Sequence, residues 1–343
     1  MHVGIIGVPG DPRVDSLERF LKAQQSDVIV VNSRSFSEQQ SWAFDGEHTW
    51  YQNQNLSQAR AWCLFTYPPT FPRMWTDFED YFLYRDWYED YMHKREHRSF
   101  LVAWLLSLGH RGIPVLNPPE HGVGLQYKPV ELELARQEGL TCPKTLITND
   151  PDRVREFLKA VPEVVYKPAF GGSECRPVGE KELANLEQLR VSPVTFQECI
   201  RGKSIRVMVV DGQVVSAVRL MSDYLDYRSD PDYVAGKTVY EPVELPTELL
   251  AAAVRVVERY GLYFSGIDFI ETAEGEYVFL EANASPMYMD IEQRAEHPIT
   301  AEICAALLKH ANNPEAYTRA LQNRRHRRGL MSYVMPGFEN VWT

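Results

Sequence analysis

The chain is short of cysteine, of excess base and of long apolar runs, and each shortage closes off a class of protein. Its five cysteines (Cys63, Cys142, Cys175, Cys199 and Cys304) are odd in number and widely spaced. That pattern argues against a disulfide frame or a zinc cluster and for reduced thiols. No apolar run approaches the roughly 18 residues that a membrane span needs. Met1 leads straight into a strand pattern rather than a basic and then apolar signal, so a cytoplasmic protein is expected. Acids outnumber bases by 47 to 36, a net charge of −11, which opposes general nucleic-acid binding. The one basic cluster, Arg324-Arg325-His326-Arg327-Arg328, lacks interleaved aromatics. It suits a solvated helix end, or a clamp on an acidic partner, better than a nucleic-acid patch. The loop from Gly7 to Pro12 is too poor in glycine for a dinucleotide fingerprint.

What is present points to an α/β chain. Hydrophobic residues make up 44% of its 343 residues, enough for two or three domains. His2 to Val8 and Asp27 to Asn32 have the pattern of buried strands, with an amphipathic helix over 14–24 between them. Residues 99–108 suit an apolar helix and Ile113 to Asn117 a strand. Further helices are expected over 129–138, 151–159, 246–260 and 298–311. Asp150 is the natural N-cap of the second of these, with Pro151 in its first turn. Residues 62–100 mix aromatics such as Trp75, Tyr81 and Trp87 with acids such as Asp77, Asp80 and Glu89. A helix there has an aromatic core face and an acidic outer face, and docking of a basic or peptide partner is the sharper alternative. Residues 222–242 show no clear period.

Two consecutive hairpins carry the chemistry. In Phe264 to Asn283, a tight turn at Glu274-Gly275 sets Asp268 opposite Glu281 and Asn283 opposite Gly266, all on one face. Ile267, Phe269, Val278 and Leu280 then take the other, buried face. Directly opposed carboxylates are destabilising unless a cation lies between them. Two carboxylates and an amide oxygen are hard ligands of the kind that Mg²⁺ takes beside nucleotide phosphates. The plain alternative is a solvated hairpin face with incidental acids. Upstream, Asp211-Gly212 closes a second hairpin between Ser204–Val210 and Gln213–Arg219. A tight turn there sets Arg206 opposite Ala217 and Ser204 opposite Arg219. Both guanidiniums then project from one face as diagonal neighbours, ready for a shared anion. Two surface arginines paired to nearby acids are the alternative. Before both hairpins, an apolar strand ends in Lys167-Pro168 and runs into Gly171-Gly172-Ser173, whose amides could close over phosphate oxygens. Its glycine and lysine order is not that of a Walker A loop, and an ordinary strand-to-turn exit also fits.

Taken in order, Lys128, Lys167 with its glycine loop, Thr195 to Ile200, Arg206, Arg219, Asp268 and Glu281-Ala282-Asn283 resemble the ATP-grasp carboxylate–amine ligases. The similarity is greatest to their RimK-like branch, including the graspetide (microviridin-type) macrocycle synthetases, and covers roughly residues 115–310. It implies an ATP-grasp fold with an N-terminal α/β domain (1–117), a central lobe (118–196) that includes the lid, and a C-terminal antiparallel-sheet lobe (197–312). Residues 313–343 form an extension. It also implies that Lys128 and Lys167 hold the α- and β-phosphates of ATP. Gly171, Gly172 and Ser173 would cover the phosphates, and Lys203 would join the nucleotide set. The backbone of Gln197, Glu198, Cys199 and Ile200 would meet adenine, Arg206 and Arg219 the γ-phosphate, and Asp268, Glu281 and Asn283 two Mg²⁺ ions, with Mn²⁺ a substitute. Two departures stand out. The loop after Gly172 has no further glycine until Gly179, and Lys203-Ser204 stand where relatives place an acid.

The expected activity is activation of a carboxylate as acyl phosphate, followed by coupling to an amine of an amino acid or peptide. Ester or amide macrocyclisation of a ribosomal precursor peptide is the alternative within that chemistry. A regulatory protein that binds nucleotide without ligating anything is the alternative outside it. The expected partners are a small-molecule or peptide substrate and a second copy of the chain, with no membrane or nucleic acid.

Overall fold

A computed structural model describes residues 1–33, 40–66, 83–119, 128–169 and 174–318. The glycine loop (Gly171, Gly172, Ser173), the basic cluster at 324–328, the apolar end beyond it and most of the aromatic and acidic stretch at 67–91 lie outside the described residues or side chains. The chain divides into two compact units, Met1–Gly124 with Gly261–Phe264 and Thr300–Thr343, and Leu125–Tyr260 with Ser265–Ile299.

The first unit begins as the β-α-β pattern requires. β1 (His2–Gly7) and β2 (Asp27–Asn32) pair in parallel, and α1 (Pro12–Ala23) crosses between them. Asp11 caps α1 by accepting from the Arg13 amide, and Pro12 supplies a preset first turn. A small antiparallel sheet follows, β3 (Trp42–Phe44), β4 (Thr49–Tyr51) and β5 (Gln54–Asn55). β6 (Trp62–Leu64) and β7 (Val115–Leu116) extend the parallel sheet in the order β2-β1-β6-β7. Trp62 lies flat against Gly4, where a β-carbon would meet the indole at 2.0 Å, so this position admits only glycine. Between β6 and β7 runs α2 (Leu83–His110), longer than the apolar segment 99–108 that anchors it through buried Leu101, Trp104, Leu105 and Leu108. The helix Ile299–Asn312 and Tyr317 complete this core. Tyr317 stacks on Tyr263 and its hydroxyl meets the backbone of Val115.

The second unit carries two sheets. α3 (Lys128–Gln137) leads into β8 (Thr145–Thr148) and α4 (Pro151–Ala160), capped by Asp150 as its sequence demands. β9 (Val164–Pro168), β10 (Arg176–Pro177), the short α5 (Glu180–Ala184) and β11 (Val194–Glu198) follow. The strands form an antiparallel sheet in the order β10-β9-β11-β8. Val154, Val161, Val164, Leu186, Leu189 and Phe196 make the core under it.

The second sheet holds both hairpins. β12 (Lys203–Val210) and β13 (Gln213–Met221) pair first. The connection beyond β13 contains α6 (Pro231–Val234) and the edge strand β14 (Val239–Pro242). α7 (Thr247–Tyr260) returns to β15 (Phe264–Glu271) and β16 (Tyr277–Asn283), and α8 (Met289–Ala295) follows. The strand order is β14-β13-β12-β15-β16.

Both hairpins contain a bulge, and the bulges correct the expected registers. Asp211 and Gly212 do make the tight turn, both with positive φ. Val209 then pairs with Val214 but Met208 with Ser216, so Val215 is the extra residue. Beyond it the register moves by one: Arg206 opposes Val218, and Arg219 opposes Ile205. A one-residue shift turns side chains to the other face, so the two arginines project from opposite faces of the sheet. The diagonal arginine pair does not exist. In the second hairpin the turn is wider than expected. Thr272 donates its amide to Glu276, enclosing three residues. A bulge at Leu280 then makes up the difference, and Asp268 opposes Glu281 with Asn283 opposite Gly266. Leu280 consequently leaves the fully buried face and lies half-buried.

Candidate active site

An open cleft within the second unit brings together Lys167, the segment from Gln197 to Ile200, Tyr227, Arg228, Asp268 and Glu281. Its walls combine apolar residues, Val165, Ile200, Leu225 and Leu280, with the charged Lys167, Arg228, Asp268 and Glu281. Such a lining suits a ligand that has both a flat ring and anionic groups.

The charged part of the lining is built around Glu281. Lys128 Nζ donates to Glu281 Oε2 at 3.1 Å, to Glu131 Oε2 at 2.8 Å and to the Leu280 carbonyl at 3.2 Å. The bulge explains the last bond, because Leu280 has no partner across the hairpin and its carbonyl faces the ammonium. Lys167 Nζ lies 3.7 Å from the same Glu281 oxygen. Burial works against the ionised carboxylate, but Lys128 and Lys167 hold Glu281 well below the usual carboxylate range. Burial raises Glu131, which Lys128 opposes.

Asp268 is gripped by Arg206, whose Nε donates to Oδ1 and whose Nη2 donates to Oδ2 at 3.1 Å. Nη2 also donates to the Tyr227 hydroxyl at 3.1 Å. Burial pushes that phenol up to about 12, so it stays protonated at neutral pH. Gly266 leaves the guanidinium room to cross: a β-carbon there would lie 3.1 Å from Arg206 Nη1 and 2.7 Å from Pro286. The Asn283 amide bridges the two carboxylates, 3.2 Å from Asp268 Oδ2 and 3.2 Å from Glu281 Oε1. Among the described residues no three His, Cys, Asp or Glu side chains gather around one point. A metal here would therefore rest on two carboxylates and one amide oxygen, with water or phosphate completing its shell. That set fits Mg²⁺, which keeps several such outside ligands. Amide N and O exchange by a half-turn of the Asn283 side chain, which would present its oxygen instead.

The other expected residues divide sharply. On the linker, the amides of Glu198 and Cys199 are spent on the carbonyls of Lys144 and Glu163. The Ile200 amide has no partner among the described residues, and Ile200 lines the cleft. Lys203 begins β12 as an exposed side chain and is not part of the cleft wall. Lys128 is only 2% exposed and lies behind Glu281, not on the wall. Arg219 faces away and donates to Glu271 Oε2 at 2.6 and 3.0 Å. It is not on the cleft wall, and its pairing with a nearby acid matches the plain alternative. The guanidinium on the cleft wall is that of Arg228, which the sequence left inside an unpatterned stretch. Asp226 holds it with two bonds of 2.8 and 2.7 Å, and also accepts from the Cys175 amide at 2.8 Å. The spacing Asp226-x-Arg228 was the available signal, since Asp226 also caps the short turn that presents the arginine.

Comparison with known proteins gives the family and the fold. The model of the RimK-like ATP-grasp domain matches residues 127–307. Tetrahydromethanopterin:alpha-L-glutamate ligase of Methanocaldococcus jannaschii is 25% identical over 229 residues, 63% of this chain and 77% of its own. The ATP-grasp ligase PsnB, solved with a minimal precursor, Mg and ADP, superposes with a TM-score of 0.75 at 30% identity, covering 90% of this chain and 97% of that one. The macrocyclase MdnC of Microcystis aeruginosa, solved with its precursor peptide MdnA, shares the fold at a TM-score of 0.74 and 20% identity, over 90% of this chain and all of that one. No helix among the described residues is long and apolar enough to cross a membrane.

Proposed function

The chain belongs to the RimK-like ATP-grasp family, and on that premise we propose how its cleft works and on what. It is an ATP-dependent, ADP-forming ligase that couples a carboxylate to an amine. A carboxylate is a poor electrophile, and ATP makes it reactive by giving it a phosphoryl group that the acceptor then displaces. Such transfers depend on positioning and on neutralising charge more than on covalent help from the protein.

In this reading adenine lies against the apolar residues Val165, Ile200 and Leu225 of the cleft wall, and the Ile200 amide donates to the ring edge. Lys167 faces the phosphates. Asp268, Glu281 and Asn283 supply the oxygens for magnesium, which when bound would draw charge from the transferring phosphoryl group. Arg206 fixes Asp268 on the protein side, and Arg228, on the cleft wall, meets the carboxylate to be activated or its phosphorylated form.

The substrate we propose is a peptide that carries both the carboxylate and the acceptor, an amine or a hydroxyl, so that the product is a ring. The observation behind this is the 30% identity to PsnB across 90% of this chain, including the unit that precedes the ligase core. The glutamate ligase matches a smaller share, which favours an untethered amino-acid donor as the second reading. ADP release decides between them. Peptides with Asp or Glu together with Ser, Thr or Lys should stimulate it and lose one water per closure in the mass spectrum. Stimulation by free glutamate alone would establish the second reading, and tight ATP binding without ADP release under either condition would leave a regulatory protein.

A further inference from the structure

We propose that Glu131 is a positioning residue for the magnesium site, acting through Lys128 to set the charge and place of Glu281. The proposal rests on the ligase reading only in taking Glu281 as a metal ligand. Glu131 lies on α3, away from the cleft wall, with a side chain 3% exposed. Its two oxygens have separate partners: Oε2 accepts from Lys128 at 2.8 Å and Oε1 from the Tyr260 hydroxyl at 3.3 Å. Lys128 in turn has three N–H groups and three acceptors, Glu131, Glu281 and the Leu280 carbonyl. A continuous row therefore runs from Tyr260 through Glu131 and Lys128 to Glu281.

The row solves a problem of charge. An ammonium that is 2% exposed must be neutralised at close range. If Glu281 were its only acid, the pair would be self-sufficient, and a divalent ion would have to compete with the ammonium for that carboxylate. Glu131 shares the ammonium with Glu281, at 2.8 Å and 3.1 Å, so Glu281 is not its sole counter-ion and is held in direction while its other oxygen stays open to a metal. Supporting carboxylates of this kind typically change metal affinity about 10–100-fold when lost.

The test is the magnesium dependence of ADP binding, followed by calorimetry on the full chain at graded Mg²⁺. E131Q keeps an acceptor but removes the charge, and should move the Mg²⁺ midpoint upward about tenfold, while ADP affinity at saturating Mg²⁺ changes less than about threefold. E131D keeps the charge and shortens the reach, and should move the midpoint less in the same direction. Y260F removes the outer bond to Glu131 and keeps the buried charges balanced, so it remains measurable if E131Q does not fold; its midpoint should rise about two- to threefold. Folded E131Q with a wild-type Mg²⁺ curve would overturn the proposal. So would a Y260F curve identical to wild type where E131Q fails to fold. Wild-type protein whose ADP binding ignores Mg²⁺ would instead remove the metal assignment beneath it.

Discussion

The hairpins β12–β13 and β15–β16 lie in one sheet and each contains a single bulge, yet the bulges act in opposite ways on the chemistry. In β15–β16 a turn one residue wider than the tight form is offset by the bulge at Leu280, and Asp268 meets Glu281. In β12–β13 the tight turn forms and nothing offsets the bulge at Val215, so Arg206 and Arg219 part to opposite faces. Arg206 becomes a buried partner of Asp268, and Arg219 a partner of Glu271 at a partly buried site, its side chain 21% exposed. Register, not residue type, decides which arginine belongs to the site.

Substitutions can break or sharpen that contrast. The largest effect belongs to the opposed carboxylates. D268N or E281Q should lower ADP formation about 10²–10³-fold or more, with an unchanged far-ultraviolet spectrum; wild-type turnover in either would remove the metal assignment. R206A comes next, because it strands a buried carboxylate. Urea unfolding should show a loss of about 3–5 kcal/mol, with turnover falling in parallel. Its counterpart, R219A, should cost only about 0.2–1 kcal/mol and leave turnover within about twofold. A large activity loss in R219A, with nucleotide binding intact, would return that residue to the phosphate face. The smallest effect concerns Cys175, whose thiol burial pushes up to about 11. Since only the thiolate reacts, iodoacetamide should label it about 10²-fold more slowly than free cysteine near pH 7, the rate rising as pH climbs toward 11. Rapid labelling at neutral pH would contradict its burial.

Much of the fold could be read from local pattern. The cap at Asp150 with Pro151, the helices ending at Tyr260 and Asn312, and the parallel start from β1 to β2 follow from periodicity and capping chemistry. The order of site motifs was legible too, because each ligand ends or interrupts an apolar strand. The bulges were not, since Val215 and Leu280 are ordinary strand residues whose misfit arises only from pairing with a partner strand. Nor was the burial of Lys128. It depends on Glu131 one turn along α3 and on Tyr260 and Glu281, more than a hundred positions away. Arg228 was hidden for a related reason: the connection that presents it is organised by side-chain bonds to Asp226, not by any repeating pattern.

The carbonyl that Leu280 turns toward Lys128 has one more implication. Part of the anchor for the cation array is main chain, which every amino acid possesses, so substitution at 280 cannot delete it. The side chain at that position lines the cleft and is free to vary in size without disturbing the ammonium beneath. Evolution, or an engineer, can therefore reshape this wall for a different occupant while the electrostatic machinery behind it stays in place.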